Sequence, residues 1–216
     1  MASTLYITDL SPFGARVRLV CKFTGIAFDE LTPPGGAGSD TMKQISPFGK
    51  MPAISLDDRV LVESLALMEY VVDKAGGSPL MPQSPERRAA IRGVMLAHDH
   101  YVMGAVWPFF LQLRTGKPDP AICRAAMDAA DVQYGVLTRL FDEGTFALGG
   151  ELSLADIAMA PLALLFTRMY PAFGGTAPFS VQPRLKAWWS AISDVPEIAD
   201  VFSRMDAAIA RVFGKT

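Results

Sequence analysis

Three short stretches hold side chains able to take part in chemistry. The first is SPFGARVRLVCKFTGI, residues 11–26, directly after the apolar run TLYI. Ser11 at that hinge could be a helix cap, a nucleophile or a hydroxyl aimed at a ligand. A nucleophilic serine needs a base; both histidines, His98 and His100, lie far down the chain and no GxSxG elbow exists. A donor role needs less, because a hydroxyl together with free helix-end N–H groups stabilises an anion such as a thiolate. The second stretch is FGKMPAI, Phe48 to Ile54. Pro52 is either an edge residue opening a strand or a cis proline that bares the backbone of Met51 for strand-like pairing with an extended, peptide-like ligand. The third is VESLAL, Val62 to Leu67. It is either an ordinary acidic helix start or a site for an amino-acid end group. In the second case Ser64 and backbone N–H groups would hold a carboxylate while Glu63 holds an ammonium.

The elements that must position these residues follow from local pattern. TLYIT (4–8) is apolar and β-prone, and reads as a strand. Ser11 then caps a helix with Pro12 at its first position, where a missing N–H does no harm. Val17, Val20, Cys21 and Thr24 recur at helical spacing, and Gly25 closes the helix in a left-handed cap. AFDEL (27–31) is a second strand, TPPGGAGSD (32–40) a loop, and TMKQI a short helical turn. PAISL (52–56) and VLV (60–62) make a hairpin about the turn DDR, and a helix runs from Glu63 or Ser64 to Ala75 before Gly76-Gly77.

After GGSPLMPQSP (76–85) the pattern becomes helical over 86–114, 119–143, 153–170, 183–194 and 196–213, with Pro- or Gly-rich boundaries. The chain therefore divides near residue 80 into an α/β half and an all-helical half. SLAD (153–156) resembles a capping box with Asp in the Glu/Gln position, starting a buried helix in the second half.

Bulk properties limit the function. The 216 residues are 50% hydrophobic and 19% charged, enough for one large core or two modest ones. A net charge of −2 argues against nucleic acid or an anionic membrane surface as partner. Apolar runs are broken well before the ~18 residues a spanning helix needs, and the N-terminus lacks the pattern of a secretory signal. Cys21 and Cys123 form no CxxC pair, so neither a disulfide framework nor a zinc site is expected, and a reducing cytosol fits. No metal site is expected.

These pieces occur in an order and spacing that resemble the cytosolic glutathione transferases over essentially the whole chain. SPFGARVRL is similar to the active-site stretch of the serine-type, tau-like members. FGKMPAI resembles the cis-proline segment, VESLAL the Glu-Ser pair that binds the γ-glutamyl end, and GELSLADIAM the capping motif of the helical domain. PRLKAWWSAISDVPEI resembles the penultimate helix and its exit. The resemblance implies a thioredoxin-like N-terminal domain (βαβ-α-ββα) over 1–77, a linker over 78–85 and an all-α domain over 86–216. It also implies a cytoplasmic homodimer with glutathione as cosubstrate and a small apolar electrophile as second substrate.

Carried over position by position, Ser11 would donate a hydrogen bond to the glutathione sulfur. Met51 would pair its backbone with the cysteinyl unit, and Pro52 would be cis. Glu63 and Ser64 would hold the γ-glutamyl ammonium and carboxylate. Phe13 would belong to the same glutathione site. The loop before the second helix has no cation where some serine-type members carry lysine, so the glycyl carboxylate is either held by Lys50 or Lys43 or bound more weakly. Free thiols titrate near ~8.5, and lowering that by about two pH units takes roughly 2.7 kcal/mol. One hydroxyl hydrogen bond and a helix end supply about 1.5–3 and about 0.3–1 kcal/mol. Ser11 would then act as cap and thiolate stabiliser without losing its own proton.

The second substrate would lie between Ser11 and the first long helix of the α domain, with Tyr101, Trp107, Phe110, Phe166 and Tyr170 as candidate contacts; an aromatic stripe at helical spacing is also what core looks like. Arg16 is expected to give structural or electrostatic support, Arg18 to face solvent, and His98, Asp99 and His100 to be dimer or solvent groups. Cys21 is expected to be buried and inert. Serine in place of the cysteine of omega-like members disfavours thiol-transfer chemistry. Glutathione-dependent isomerisation, ether cleavage and dehalogenation would use the same thiolate. A non-catalytic glutathione-binding or interaction module is the other class of reading.

Overall fold

A computed structural model of the chain describes residues 3–175, 178–179 and 182–213. By contacts these form two units: residues up to Met81 together with those from Val195 onward, and Pro82–Asp194.

The first unit is built on a four-stranded sheet of order β2-β1-β3-β4, with β1 Thr4–Tyr6, β2 Asp29–Leu31, β3 Ala53–Ser55 and β4 Val60–Val62. The β1–β2 pair is parallel because helix α1, Pro12–Thr24, makes the crossover; the other pairs are antiparallel. Helix α2 is Asp40–Ile45 and helix α3 is Ser64–Lys74. Leu5, Ile7, Val17, Val20, Ile54 and Met68 are among the side chains that close the core. The strands are shorter than the apolar runs suggest, since pairing rather than composition ends a strand. Both expected ends of α1 hold: Ser11 caps it, and Gly25 at φ 73° sends its N–H to the Cys21 carbonyl.

The C-terminal helix differs from the sequence reading, which placed 196–213 with the helical half. This helix, α9 at Pro196–Phe213 in chain order, packs on α1 and belongs to the first unit. Its apolar stripe Ile198, Val201, Phe202, Met205 and Ala208 is buried; such periodicity tells that a face is covered, not which core covers it. The expected linker is partly packed as well, with Leu80 and Met81 buried.

The second unit contains α4 Pro85–Ala97, α5 Met103–Leu113, α6 Pro120–Leu137, α7 Leu154–Met169 and α8 Pro183–Ser193. The expected helix over 86–114 runs as α4 and α5 joined by one π-helical stretch, His98–Val102. His98 is fully buried there, 3.1 Å from Asp99 Oδ1 and 3.3 Å from the Tyr134 hydroxyl, which corrects its reading as a dimer or solvent group. Helix α7 is buried almost all round, and its capping box forms as expected. The buried Asp156 carboxylate accepts from Ala147 N–H at 2.8 Å, Ser153 N–H at 2.9 Å, Ser153 Oγ at 2.8 Å and Trp188 Nε1 at 2.9 Å. Burial pushes the Asp156 pKa up, and these four donors oppose it.

Candidate active site

Strand register gathers three candidate segments at one edge of the sheet. Tyr6, the last residue of β1, pairs with Ala53, the first of β3, and Ala53 pairs with Val62, the last of β4. Thus Ser11 follows the end of β1, Met51–Pro52 immediately precede β3, and Glu63–Ser64 immediately follow β4. Segments separated in sequence become neighbours along a single row of the sheet through antiparallel pairing.

At the first segment, Thr8 O accepts from Ser11 N–H at 3.2 Å, forming a tight turn into α1. Ser11 Oγ accepts from Gly14 N–H at 3.1 Å. That bond uses an acceptor lone pair, and the hydroxyl proton has no acceptor among the described residues. The helix start lies close to β1: a Cβ on Gly14 would stand 3.1 Å from Ile7 Cβ, so only glycine fits there without a shift.

Helix α1 is tied to the start of α3 by Arg16, which is fully buried. Its Nη1 donates to Ser64 Oγ at 3.2 Å, and its guanidinium lies 5.0 Å from the centroid of the Phe13 ring. Arg16 thus gives the support expected of it, through a bond that helical spacing could not reveal. Because Arg16 supplies the donor, the Ser64 hydroxyl keeps its own proton for another acceptor.

The Met51–Pro52 bond is cis. Pro52 is buried, Met51 half-buried and Lys50 exposed. Glu63 takes φ 68° and ψ 114°, a region that non-glycine residues enter only when their surroundings impose it. Its side chain is exposed and makes no capping bond, so the first N–H groups of α3 have no side-chain cap.

Arg18 departs from its solvent-facing expectation. It is 5% exposed and forms a two-pronged pair with Glu30, Nε at 2.8 Å and Nη2 at 2.7 Å. These bonds hold the Glu30 carboxyl below the usual carboxylate range. Cys21 is half-buried, and burial with the Glu30 charge pushes its thiol up to about 12, so it is no thiolate at neutral pH.

The aromatic candidates of the second unit separate into three groups. Trp107 and Phe110 face each other at 6.2 Å between ring centroids, with Arg114 over the Trp107 ring at 5.7 Å. Tyr101, 63% exposed, lines an apolar groove of about 270 Å³ with Ala97, Val136, Leu137 and Leu140. Phe166 and Tyr170 are buried, stacked on each other at 5.0 Å, and Phe166 also packs on Tyr134 and Phe179. The Tyr170 hydroxyl donates to Asp128. Those two rings are interior packing of the helical unit, as the core alternative anticipates.

Among the described residues no cluster of His, Cys, Asp or Glu could hold a metal ion, and no helix is long and apolar enough to cross a membrane.

Comparison with known proteins points the same way as the geometry. The chain is 29% identical over 216 residues to glutathione S-transferase 3 of Zea mays, covering 95% of this chain and 93% of that one. It is 27% identical over 189 residues to a probable maleylacetoacetate isomerase of Caenorhabditis elegans, with 84% of each covered. Glutathione transferase F7 of Populus trichocarpa superposes with a TM-score of 0.80 at 23% identity, over 94% of this chain and 99% of that one, which speaks for the fold. Residues 5–79 match the family model for the glutathione S-transferase N-terminal domain, a thioredoxin-like domain, and residues 97–196 match that for the C-terminal domain. With both halves matched in order, the chain belongs to the glutathione S-transferase family, enzymes that transfer groups with glutathione as cosubstrate.

Proposed function

We propose that this protein conjugates glutathione to an apolar electrophile, with Ser11 stabilising the glutathione thiolate. The observation that carries the reading is the state of the Ser11 hydroxyl. Its lone pair is taken by Gly14 N–H while its proton remains available, at the amino end of α1 and on the same sheet edge as Met51–Pro52 and Glu63–Ser64. A bound thiolate there would accept from Ser11 and feel the positive end of the helix. Met51 would offer backbone groups to the cysteinyl unit. Ser64, relieved of a donor's role toward Arg16, would donate to the γ-glutamyl carboxylate along with the open N–H groups of α3, and Glu63 would hold the ammonium. Phe13 would wall the same site, and exposed Lys50 would reach the glycyl carboxylate. The sulfur lone pair then forms the new S–C bond, and the electrophile's displaced electron pair goes to a leaving group or an adjacent activated atom.

The deciding experiment is Ser11→Ala with ultraviolet titration of bound glutathione. Turnover should fall far more than glutathione affinity, and the thiolate band should shift to higher pH. Equal loss of both, with the band in place, would make Ser11 a cap only.

Likeness to the C. elegans isomerase supports a second reading, glutathione-dependent isomerisation by the same thiolate. Products assayed across electrophile classes separate the two. A cytoplasmic homodimer belongs to the proposal. Tyr101, Val136 and Leu140, each at least half exposed, line one apolar groove, a surface of the kind that marks an interface. Sedimentation at micromolar concentration should show twice the monomer mass.

A further inference from the structure

We propose that the C-terminal helix positions Ser11: Arg204 and Arg211 of α9, together with Arg18 of α1, clamp the Asp9 carboxylate in the turn that ends at Ser11. Asp9 stands inside the turn closed by the Ser11 N–H to Thr8 O bond. Three guanidinium groups converge on it: Arg18 at 3.0 Å, Arg204 at 3.3 Å and Arg211 at 3.7 Å. Arg204 and Arg211 are two helical turns apart and so share one face of α9. Arg18 is nearly buried and divides its donors between Asp9 and Glu30, and Arg204 also reaches Glu30 at 3.5 Å. A second, more exposed pair, Lys22 with Asp200 at 2.7 Å, also joins α1 and α9.

Isolated exposed ion pairs do little. This cluster differs, because its inner member is buried and its two carboxylates sit on the β1–α1 turn and the edge strand β2. Strand, turn, α1 and α9 are therefore locked to a common point two residues from Ser11. Without the α9 arginines, Asp9 keeps only Arg18, which Glu30 already draws the other way. A hydroxyl displaced by about 1 Å loses much of its grip on a reacting atom. Arg18, Arg204 and Arg211 are positioning residues, and the inference rests on Ser11 being the thiolate's donor.

The test compares the Arg204→Gln/Arg211→Gln and Arg204→Lys/Arg211→Lys double variants with Ser11→Ala, by ultraviolet titration of bound glutathione and by steady-state kinetics. In the Gln pair the thiolate fraction at neutral pH should fall about three- to tenfold, with kcat falling in step and KM for glutathione within about twofold. The Lys pair should restore most of the thiolate, because it returns the charge without the fork. Arg211→Gln alone, at an exposed position, should give a smaller shift in the same direction. A lowered melting temperature with the thiolate titration unmoved, or kcat and KM changed equally, would make the clamp merely structural and overturn the inference. If Ser11→Ala moves the titration and the Gln pair does not, the clamp alone fails. If Ser11→Ala does not move it, the reading of Ser11 fails first.

Discussion

Of the serines that begin helices in this chain, Ser11 and Ser153 share a residue type and a position but reach opposite outcomes. Ser153 heads α7 inside a closed box: its hydroxyl donates to Asp156, whose oxygens also take two backbone N–H groups and the Trp188 indole, all away from water. Ser11 heads α1 with one bond, from Gly14, and its proton unused among the described residues. The start of α3 is more open still, since Glu63 makes no side-chain cap at all and lies at positive φ. A saturated cap is a structural joint. An unsaturated cap leaves a donor open to a ligand, the role we propose for Ser11, because buried polar groups must be satisfied while half-exposed ones can be satisfied by a ligand.

The contrast can be broken at either end. The largest effect is expected at the closed cap. Asp156→Ala would strand several buried donors and lower unfolding free energy by about 3–5 kcal/mol, read from the denaturant midpoint. Asp156→Asn, keeping one acceptor oxygen, should lose less. At the open cap the order reverses. Ser11→Ala should cut kcat about 100-fold, the usual result of removing one preorganised donor, while unfolding free energy drops only about 1 kcal/mol, the worth of an N-cap. A smaller effect is expected at α3, where Glu63→Ala should raise KM for glutathione about tenfold through one lost charge-assisted contact, with kcat nearly retained. An unchanged KM would remove Glu63 from the site. If Ser11→Ala destabilised the fold as much as Asp156→Ala, the distinction between saturated and open caps would not hold.

Much of the local structure around the candidate site was legible because helix starts are local. An N-cap acts over three residues, a left-handed glycine over one, and a proline over its own bond, so Ser11, Gly25, Pro52 and the Ser153–Asp156 box could be located from adjacent residues. The π-helical stretch at His98 gave no such signal, because a slip in helical register leaves the apolar period almost intact. The aromatic stripe could not separate core from surface, for a related reason. Phe166 and Tyr170 share helical spacing with surface candidates but stack inside the second unit, whereas Trp107 and Tyr101 remain exposed.

Residue order alone therefore settled the two-part pattern, the caps and the kinds of side chain that reach the sheet edge, since each depends on contacts within a turn or two. Only the folded chain decided which core α9 would join, that Arg16 would meet Ser64 and that Arg18 would leave solvent for Glu30. It also decided that Asp9 would collect arginines from the far end of the sequence. Those contacts join positions with no local relation, and long-range ion pairing and apolar burial select among many faces that look equally suitable along the chain.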